Sequence, residues 1–320
     1  MPRFCRHNRF IENCPICSQE DVQLAAPAPG RPSTSTAGRG SGSGTRRRTV
    51  AGMRVVRSAR PIADGYANGL VPGLHATPDA RALADEIAFA AGRLAQLETD
   101  PPGLYAEVAA SPDVEEGLWL AFLLAYLTPT EDEAPFAAIE AVRTTWASGA
   151  LPDLDWVRTG TRTAHDPQRG TATLEAYRAW AARSGGQLAG LTGEPAWSPE
   201  RRFDRAFERL SFPGFHRAAR MDLLAIAGRV GVVDLLPGSL HFQGSAPTTV
   251  AAKRVFGIGD GMLLERRARA LADAVGVQLQ ALDLALYNFG AGEDRATLGA
   301  PPEVADRVDR APIEAALGIE

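Results

Sequence analysis

From Asp79 onward apolar residues recur at intervals of three and four. Ala82, Leu83, Ile87, Ala90, Ala91 and Leu94 fall on one side of a coil with 3.6 residues per turn. The spacing predicts a helix that opens at Thr77-Pro78-Asp79 and stops at Asp100-Pro101-Pro102-Gly103. Residues 113 to 127 predict a second, largely buried helix that ends before Pro129. Further helices are expected over 134 to 147 and 171 to 184. Segment 199 to 210 places Phe203, Phe207 and Leu210 on one face and Arg202, Arg205 and Arg209 on another. Helical patterns continue over 214 to 230, 247 to 255, 261 to 275 and 278 to 289. No convincing two-residue alternation marks a strand and no segment repeats, so the fold class is mainly α.

Length and composition set the organisation around these helices. A chain of 320 residues suits one sizeable helical domain with an appendage, and 45% hydrophobic with 22% charged residues is an ordinary globular balance. From Val22 to Ala63 there is no acidic residue, while arginines accumulate among Gly, Ser, Pro and Thr. Such a stretch buries too little apolar surface to offset its ordering entropy. The expected layout is a small N-terminal module over 1 to 20, a disordered basic linker over 21 to 52, a helical domain over 53 to 295 and a C-terminal tail over 296 to 320. The net charge of -4 excludes a uniformly basic coat, so any nucleic-acid surface is local. The linker either tracks a phosphate backbone or serves as a solvated tether. No apolar stretch reads as a secretory signal, and the longest apolar run, Leu118 to Leu127, is too short to span a bilayer. These features lead us to expect a soluble, cytoplasmic protein with no membrane partner.

All three cysteines lie within the first seventeen residues, where Cys5, His7, Cys14 and Cys17 form C-x-H-x6-C-x2-C. Two thiolates two residues apart can grip one tetrahedral ion from a tight turn, and Cys5, His7 or both would complete the shell. A structural zinc is therefore the expected cofactor. The same Cys-x2-Cys step also suits a redox pair, but no βαβ pattern follows it.

Residues 247 to 289 carry the strongest functional signal in the chain. They read as a helix, the turn Phe256-Gly257-Ile258-Gly259-Asp260, a second helix carrying Arg266, Arg267 and Arg269, and a third carrying Asp283. In a helix-hairpin-helix two turn glycines let backbone amides approach a phosphate closely, and the following helix points its dipole at the anion. Lys253, Arg254, Gly257, Gly259 and Arg266 are accordingly candidate nucleic-acid contacts, with the hairpin at about 247 to 275. The arrangement resembles the helix-hairpin-helix DNA glycosylases, in which an aspartate follows the hairpin at about this distance. Those enzymes usually carry L-P-G-V-G where this chain has V-F-G-I-G, and bifunctional members place a lysine where Asp260 and Gly261 stand. The resemblance thus implies Asp283 as a carboxylate that stabilises a cationic sugar or orients a nucleophile, without a Schiff-base lyase step. The competing reading of Asp283 is a solvated carboxylate near a helix start.

Over nearly its whole length the chain resembles a narrower group within that superfamily, the α-glutamyl/putrescinyl thymine pyrophosphorylases of clade 3. The residues that carry this are Phe10-Ile11-Glu12-Asn13-Cys14-Pro15-Ile16-Cys17, Asp64-Gly65-Tyr66, Leu70-Val71-Pro72-Gly73-Leu74, the run Leu120 to Leu127, and Ala252-Lys253-Arg254-Val255-Phe256-Gly257-Ile258-Gly259-Asp260. The resemblance implies an enzyme of DNA base modification or excision that flips a hypermodified thymine-type pyrimidine, with DNA as partner and modified phage DNA as a candidate source. The alternative is a non-catalytic DNA-binding or zinc interaction module. A second candidate locus is the polar loop from Arg158 to Gly170, where His165 and Asp166 offer acid/base chemistry and Arg162 a phosphate or base contact. Glu115 and Glu116 point apart on their helix and make a poor carboxylate pair, and His216 reads as structural. No P-loop, Rossmann fingerprint or Ser-His-Asp signature is present.

Overall fold

The computed structural model describes residues 62–319, which fall in one unit spanning Ala59–Glu320. The N-terminal Cys/His cluster, the basic linker and the motif Phe10 to Cys17 lie outside the described residues. Among the described residues every regular element is a helix, as the three- and four-residue spacing requires. None of these helices is long and apolar enough to cross a membrane.

Twelve α-helices follow one another among the described residues: α1 (Thr77–Thr99), α2 (Leu104–Ala110), α3 (Val114–Leu127), α4 (Ala137–Val142), α5 (Gly170–Ser184), α6 (Gln187–Thr192), α7 (Pro199–Arg209), α8 (Arg217–Arg229), α9 (Pro247–Phe256), α10 (Gly261–Val275), α11 (Leu279–Ala291) and α12 (Ala311–Leu317). Proline in the first turn starts α1, α7 and α9, where its missing amide N–H costs nothing. Asp113 and Asp260 cap α3 and α10 by accepting from the backbone N–H of Glu115 and Leu263. Left-handed glycines, Gly257 and Gly276, end α9 and α10.

The apolar run Leu118 to Leu127 makes α3 an interior helix, packed mainly against α8 and α2. Its rings Trp119, Phe122 and Tyr126 stack into an aromatic column with Tyr177 of α5 and Phe215 ahead of α8. Buried aromatic pairs of this kind contribute about 0.5–1.5 kcal/mol each beyond their area burial. The long helix α1 packs along α11 through Leu83, Ile87 and Leu94, and α11 packs on α9.

Two expectations change. The helix expected over 134 to 147 shrinks to α4, because the amides of Trp146 and Ala147 are claimed by the Glu116 carboxylate at 2.6 and 2.9 Å instead of by an intrahelical ladder. The residues expected as a C-terminal tail, 296–320, are folded over their described part. Ile313 and Leu317 of α12 are buried, Leu317 accepts from the Tyr66 hydroxyl, and Gly92 on α1 lies so close to Val304 that a Cβ there would sit 1.8 Å from the Val304 carbonyl oxygen. Glu115 and Glu116 serve different neighbours, as their divergence on one helix requires. Glu115 caps α6 by accepting from the N–H groups of Gln187 and Leu188 at 2.9 and 3.0 Å.

Candidate functional site

Helices α9 and α10 and the turn between them form a helical hairpin. Phe256 is buried, Gly257 turns the chain at φ +64°, and the next helix starts at Gly261. The segment Leu70 to Leu74 braces this turn from below. The Gly73 N–H donates to the Val255 carbonyl at 2.9 Å, and a Cβ on Gly73 would come within 2.0 Å of the Arg254 carbonyl oxygen. Two glycines therefore face each other across one contact, since Gly257 lies against the Gly73 backbone. Gly259, by contrast, has open space where a side chain would stand.

The expected nucleic-acid residues divide between surface and interior. Lys253 is exposed and its Nζ reaches the Gly244 carbonyl at 3.4 Å. Arg266 is exposed with no hydrogen-bond or ion-pair partner among the described residues, beside the exposed side chains of Met262 and Leu263. Arg254 is engaged: it donates to both oxygens of Asp79 at 2.9 and 3.0 Å and lies 4.6 Å from the Phe289 ring centre. Arg162 is wholly inside the protein.

What holds Arg162 there is Asp283. This aspartate is 1% exposed, not solvated, and its two carboxylate oxygens accept from two arginines: Arg217 at 2.5 Å and Arg162 on the other oxygen. Arg162 also donates through Nε to Asp222 at 2.8 Å, and its guanidinium lies 4.7 Å from the centre of the Tyr287 ring. The polar loop and the aspartate, separate candidates along the chain, thus meet at one cluster. Its remaining members, Arg217, Arg220 and Asp222, all come from α8, where charges at intervals of three and two sit among almost wholly buried neighbours. No motif marks them. The one available signal is that a helix apolar on nearly every side has no solvated face for its charges.

Burial alone would raise the carboxyl pKa of Asp283, but the charges of Arg217 and Arg162 and their hydrogen bonds overcome it and hold the group below its ordinary value. Burial would likewise lower Arg162, and Asp222 and Asp283 together reverse that, so its proton is held more firmly than usual. Arg220 is pulled the other way, first by burial and then by the like charge of Arg217. Arg162 and Arg217 pair with Asp222 and Asp283, while Arg220 beside them donates only to the Phe207 carbonyl and Gln243, so these three guanidinium groups and two carboxylates carry excess positive charge. Moreover, Nη1 of Arg162, Nη1 of Arg217 and Nε of Arg220 are buried and have no hydrogen-bond acceptor among the described residues. Such donors are costly to bury unmatched, about 1–3 kcal/mol each and more when charged.

A strap of non-helical chain closes the cluster. Leu240 and His241 turn their carbonyl oxygens to Arg217, and Gln243 accepts from Arg220 at 3.1 Å through its side-chain oxygen. From the other side the Glu265 carboxylate of α10 accepts from the N–H groups of Leu240 and Phe242 at 2.8 and 2.9 Å. His241 sits at φ +50°, a conformation rarely held without compensation. Here the compensation is visible: its ring stacks on Phe207 at 4.0 Å and its Nε2 meets Asp204 at 2.9 Å.

His165 and Asp166 form no dyad. His165 packs beside the start of α5 with Nδ1 3.3 Å from the Tyr126 hydroxyl, and burial lowers its pKa against the opposing pull of Asp166. Asp166 accepts from the N–H of Gln168 and makes a long contact of 3.9 Å with Arg169. Exposed His216 contributes its backbone carbonyl to the first turn of α8. Among the described residues no group of three or more His, Cys, Asp and Glu side chains is placed to hold a metal ion.

No curated protein and no solved structure matches the chain. The sequence model of one family does match, over residues 157–292, a span that holds the Arg162 loop, α8, the strap, the hairpin and Asp283. Over this segment, 157–292, the chain is similar to the family described as alpha-glutamyl/putrescinyl thymine pyrophosphorylase, clade 3.

Proposed function

We propose that the protein is a DNA base-modification enzyme that acts on a hypermodified thymine-type pyrimidine and handles a diphosphate group at the Arg162–Asp283–Arg217 cluster. The observation that carries this reading is the pair of buried, acceptorless Nη1 atoms of Arg162 and Arg217 in an interior with excess positive charge. Planar guanidinium forks suit phosphate oxygens, and Asp283 fixes both forks from behind. The family's name supplies the chemistry that fits them. On a thymine bearing an α-glutamyl or putrescinyl group, pyrophosphorolysis breaks the carbon–nitrogen bond to the substituent and forms a carbon–oxygen bond to diphosphate, the amine leaving with a proton. The reverse reaction joins the amine and releases pyrophosphate. In both directions a dianionic or more highly charged group must be held while a bond at one end of it forms or breaks, which is the task of preorganised cationic donors.

The same geometry weighs against excision. A carboxylate already neutralised by two guanidinium groups is poorly suited to stabilising a cationic sugar, so Asp283 acts in this proposal as a positioning residue for the arginines. The hairpin supplies DNA binding through Lys253, Arg266 and the open backbone at Gly259, and the target base is flipped to reach a site inside the helical body. Ligand entry requires the strap at 240–243 to lift, which frees further donors of Arg217 and Arg220. The basic linker adds salt-dependent contacts with the phosphate backbone. A zinc ion bound by Cys5, His7, Cys14 and Cys17 would stabilise the N-terminal module.

The deciding experiment incubates the protein with DNA carrying substituted thymines in the presence of pyrophosphate and reads released amine and released base by mass spectrometry. Amine release that depends on pyrophosphate, and that Arg217→Met abolishes, is the expected result. Release of free base with formation of abasic sites would instead establish excision. Full pyrophosphate binding by Arg217→Met in calorimetry would remove the arginine cluster from the site.

A further inference from the structure

Gln280 lies on α11 one turn before Asp283, and Tyr287 lies one turn after it, so the three share a stripe of the helix at spacings of three and four. Asp283 and Tyr287 both meet Arg162, one by an ion pair and the other by its ring face. Gln280 is 4% exposed, and neither its amide oxygen nor its amide nitrogen has a hydrogen-bond partner among the described residues. Both ends of a buried amide left unmatched are unusual, because each forfeits the hydrogen bonds it would make in water. An apolar residue of similar length would fill the position without that loss. Asn288, two turns further along the same helix, shows how this protein treats a structural amide: it donates to Glu86 and to the Ala296 carbonyl and accepts from the Ala296 N–H.

We infer that Gln280 is a base-reading residue whose amide hydrogen-bonds the edge of the flipped pyrimidine, beside the arginines that hold its diphosphate. The inference rests on the diphosphate reading of the cluster. The chemistry is complementary. A thymine-type ring presents a carbonyl acceptor next to the N3–H donor, and one carboxamide offers a donor and an acceptor at matching separation. A bidentate side-chain contact with a base contributes about 1–3 kcal/mol of discrimination, which corresponds to roughly 5- to 150-fold in affinity.

The test measures binding of the full chain to single-stranded oligonucleotides bearing one 5-hydroxymethyluracil or its N3-methyl analogue, which lacks the N3–H. The wild type is expected to prefer the unmethylated base by roughly 5-fold or more. Gln280→Met is expected to bind both alike, at the affinity the wild type shows for the methylated one, and to melt at or above the wild-type temperature because it removes an unmatched amide. Equal binding of the two oligonucleotides by the wild type, an undiminished preference in Gln280→Met, or a fall of several degrees in its melting temperature would each overturn the inference. Calorimetry with pyrophosphate alone separates the two levels. If the wild type binds pyrophosphate but does not distinguish the bases, only the role of Gln280 fails; if it binds no pyrophosphate, the diphosphate reading fails as well.

Discussion

Asparagine in place of Asp283 keeps the shape of the side chain and removes its charge, and the structure makes the consequence one of stability before chemistry. A solvated carboxylate near a helix start would lead one to expect an intact fold. Instead the wild-type carboxylate accepts one charge-assisted hydrogen bond from each of two buried arginines. In Asp283→Asn one amide end can still accept, but the other presents N–H groups to a guanidinium donor, so at least one arginine is left buried without its counter-charge. Breaking a buried ion pair in this way costs about 3–5 kcal/mol. For a domain of this size each kcal/mol moves the melting temperature by about 2–4 °C, so a drop of roughly 6–20 °C is expected. Acid supplies an independent check. Because the folded carboxyl titrates below its ordinary value of 3.8, its contribution is fully present above that pH and is lost as pH falls through the folded value. The gap between wild type and Asp283→Asn, measured by urea titration, must therefore be constant near neutrality and narrow only in strong acid. A melting temperature within about 2 °C of wild type at neutral pH would refute the picture of Asp283 as the counter-charge of two arginines.

Two glycine substitutions separate support of the hairpin from its use. Gly73→Ala drives a methyl into the Arg254 carbonyl and should destabilise the protein by about 1–3 kcal/mol or more in urea titration, whereas Gly259→Val, in open space, should leave stability nearly unchanged and weaken DNA binding in a filter or anisotropy assay. Glu265→Gln removes the carboxylate that accepts from Leu240 and Phe242, so hydrogen exchange at these two amides should accelerate while α3 stays protected; unchanged exchange would mean the strap is held otherwise. Metal analysis of protein purified without chelator should find about one zinc per chain, lost in a Cys14→Ser/Cys17→Ser variant, and a metal-free protein with reduced thiols would exclude the zinc module.

The helices that sequence periodicity foretold are those whose apolar spacing alone determines them. The pattern over 261 to 275 becomes α10 residue for residue, and that over 113 to 127 becomes α3 apart from its capping aspartate. The short helices α2, α6 and α12 escaped because six or seven residues hold too few turns to establish a period. Tertiary contacts decide them instead. Glu115 caps α6 from 72 residues away, and α12 holds its place through Ile313 and Leu317 and through the hydroxyl of Tyr66. The same long-range control shortened α4, where Glu116 draws away two amides that local propensity assigns to the helix.

The site was legible one member at a time. Asp283 and Arg162 stand out by their context, one after a hairpin and the other in a donor-rich loop, but nothing in the 120 intervening residues shows that they touch. Arg217, Arg220 and Asp222 resemble the solvated charges of an ordinary amphipathic helix until it is seen that α8 has hardly any exposed side. That burial supplies the strongest physical argument for function. A protein optimised only for stability would replace such a cluster with apolar residues, since buried ion networks are frequently matched or bettered by well-packed hydrophobic ones. Here Arg162 and Arg217 share two aspartates while Arg220 beside them pairs with neither, the strap completes their hydrogen bonding only in part, and one of its residues adopts a strained backbone to do so. Excess positive charge, donors without acceptors and a strained cover are costs that an anionic ligand would offset. The folded chain is therefore expected to gain stability on binding pyrophosphate, by an increment that grows with the logarithm of ligand concentration and disappears in Arg217→Met. A melting temperature indifferent to pyrophosphate would leave those costs without the ligand proposed for them.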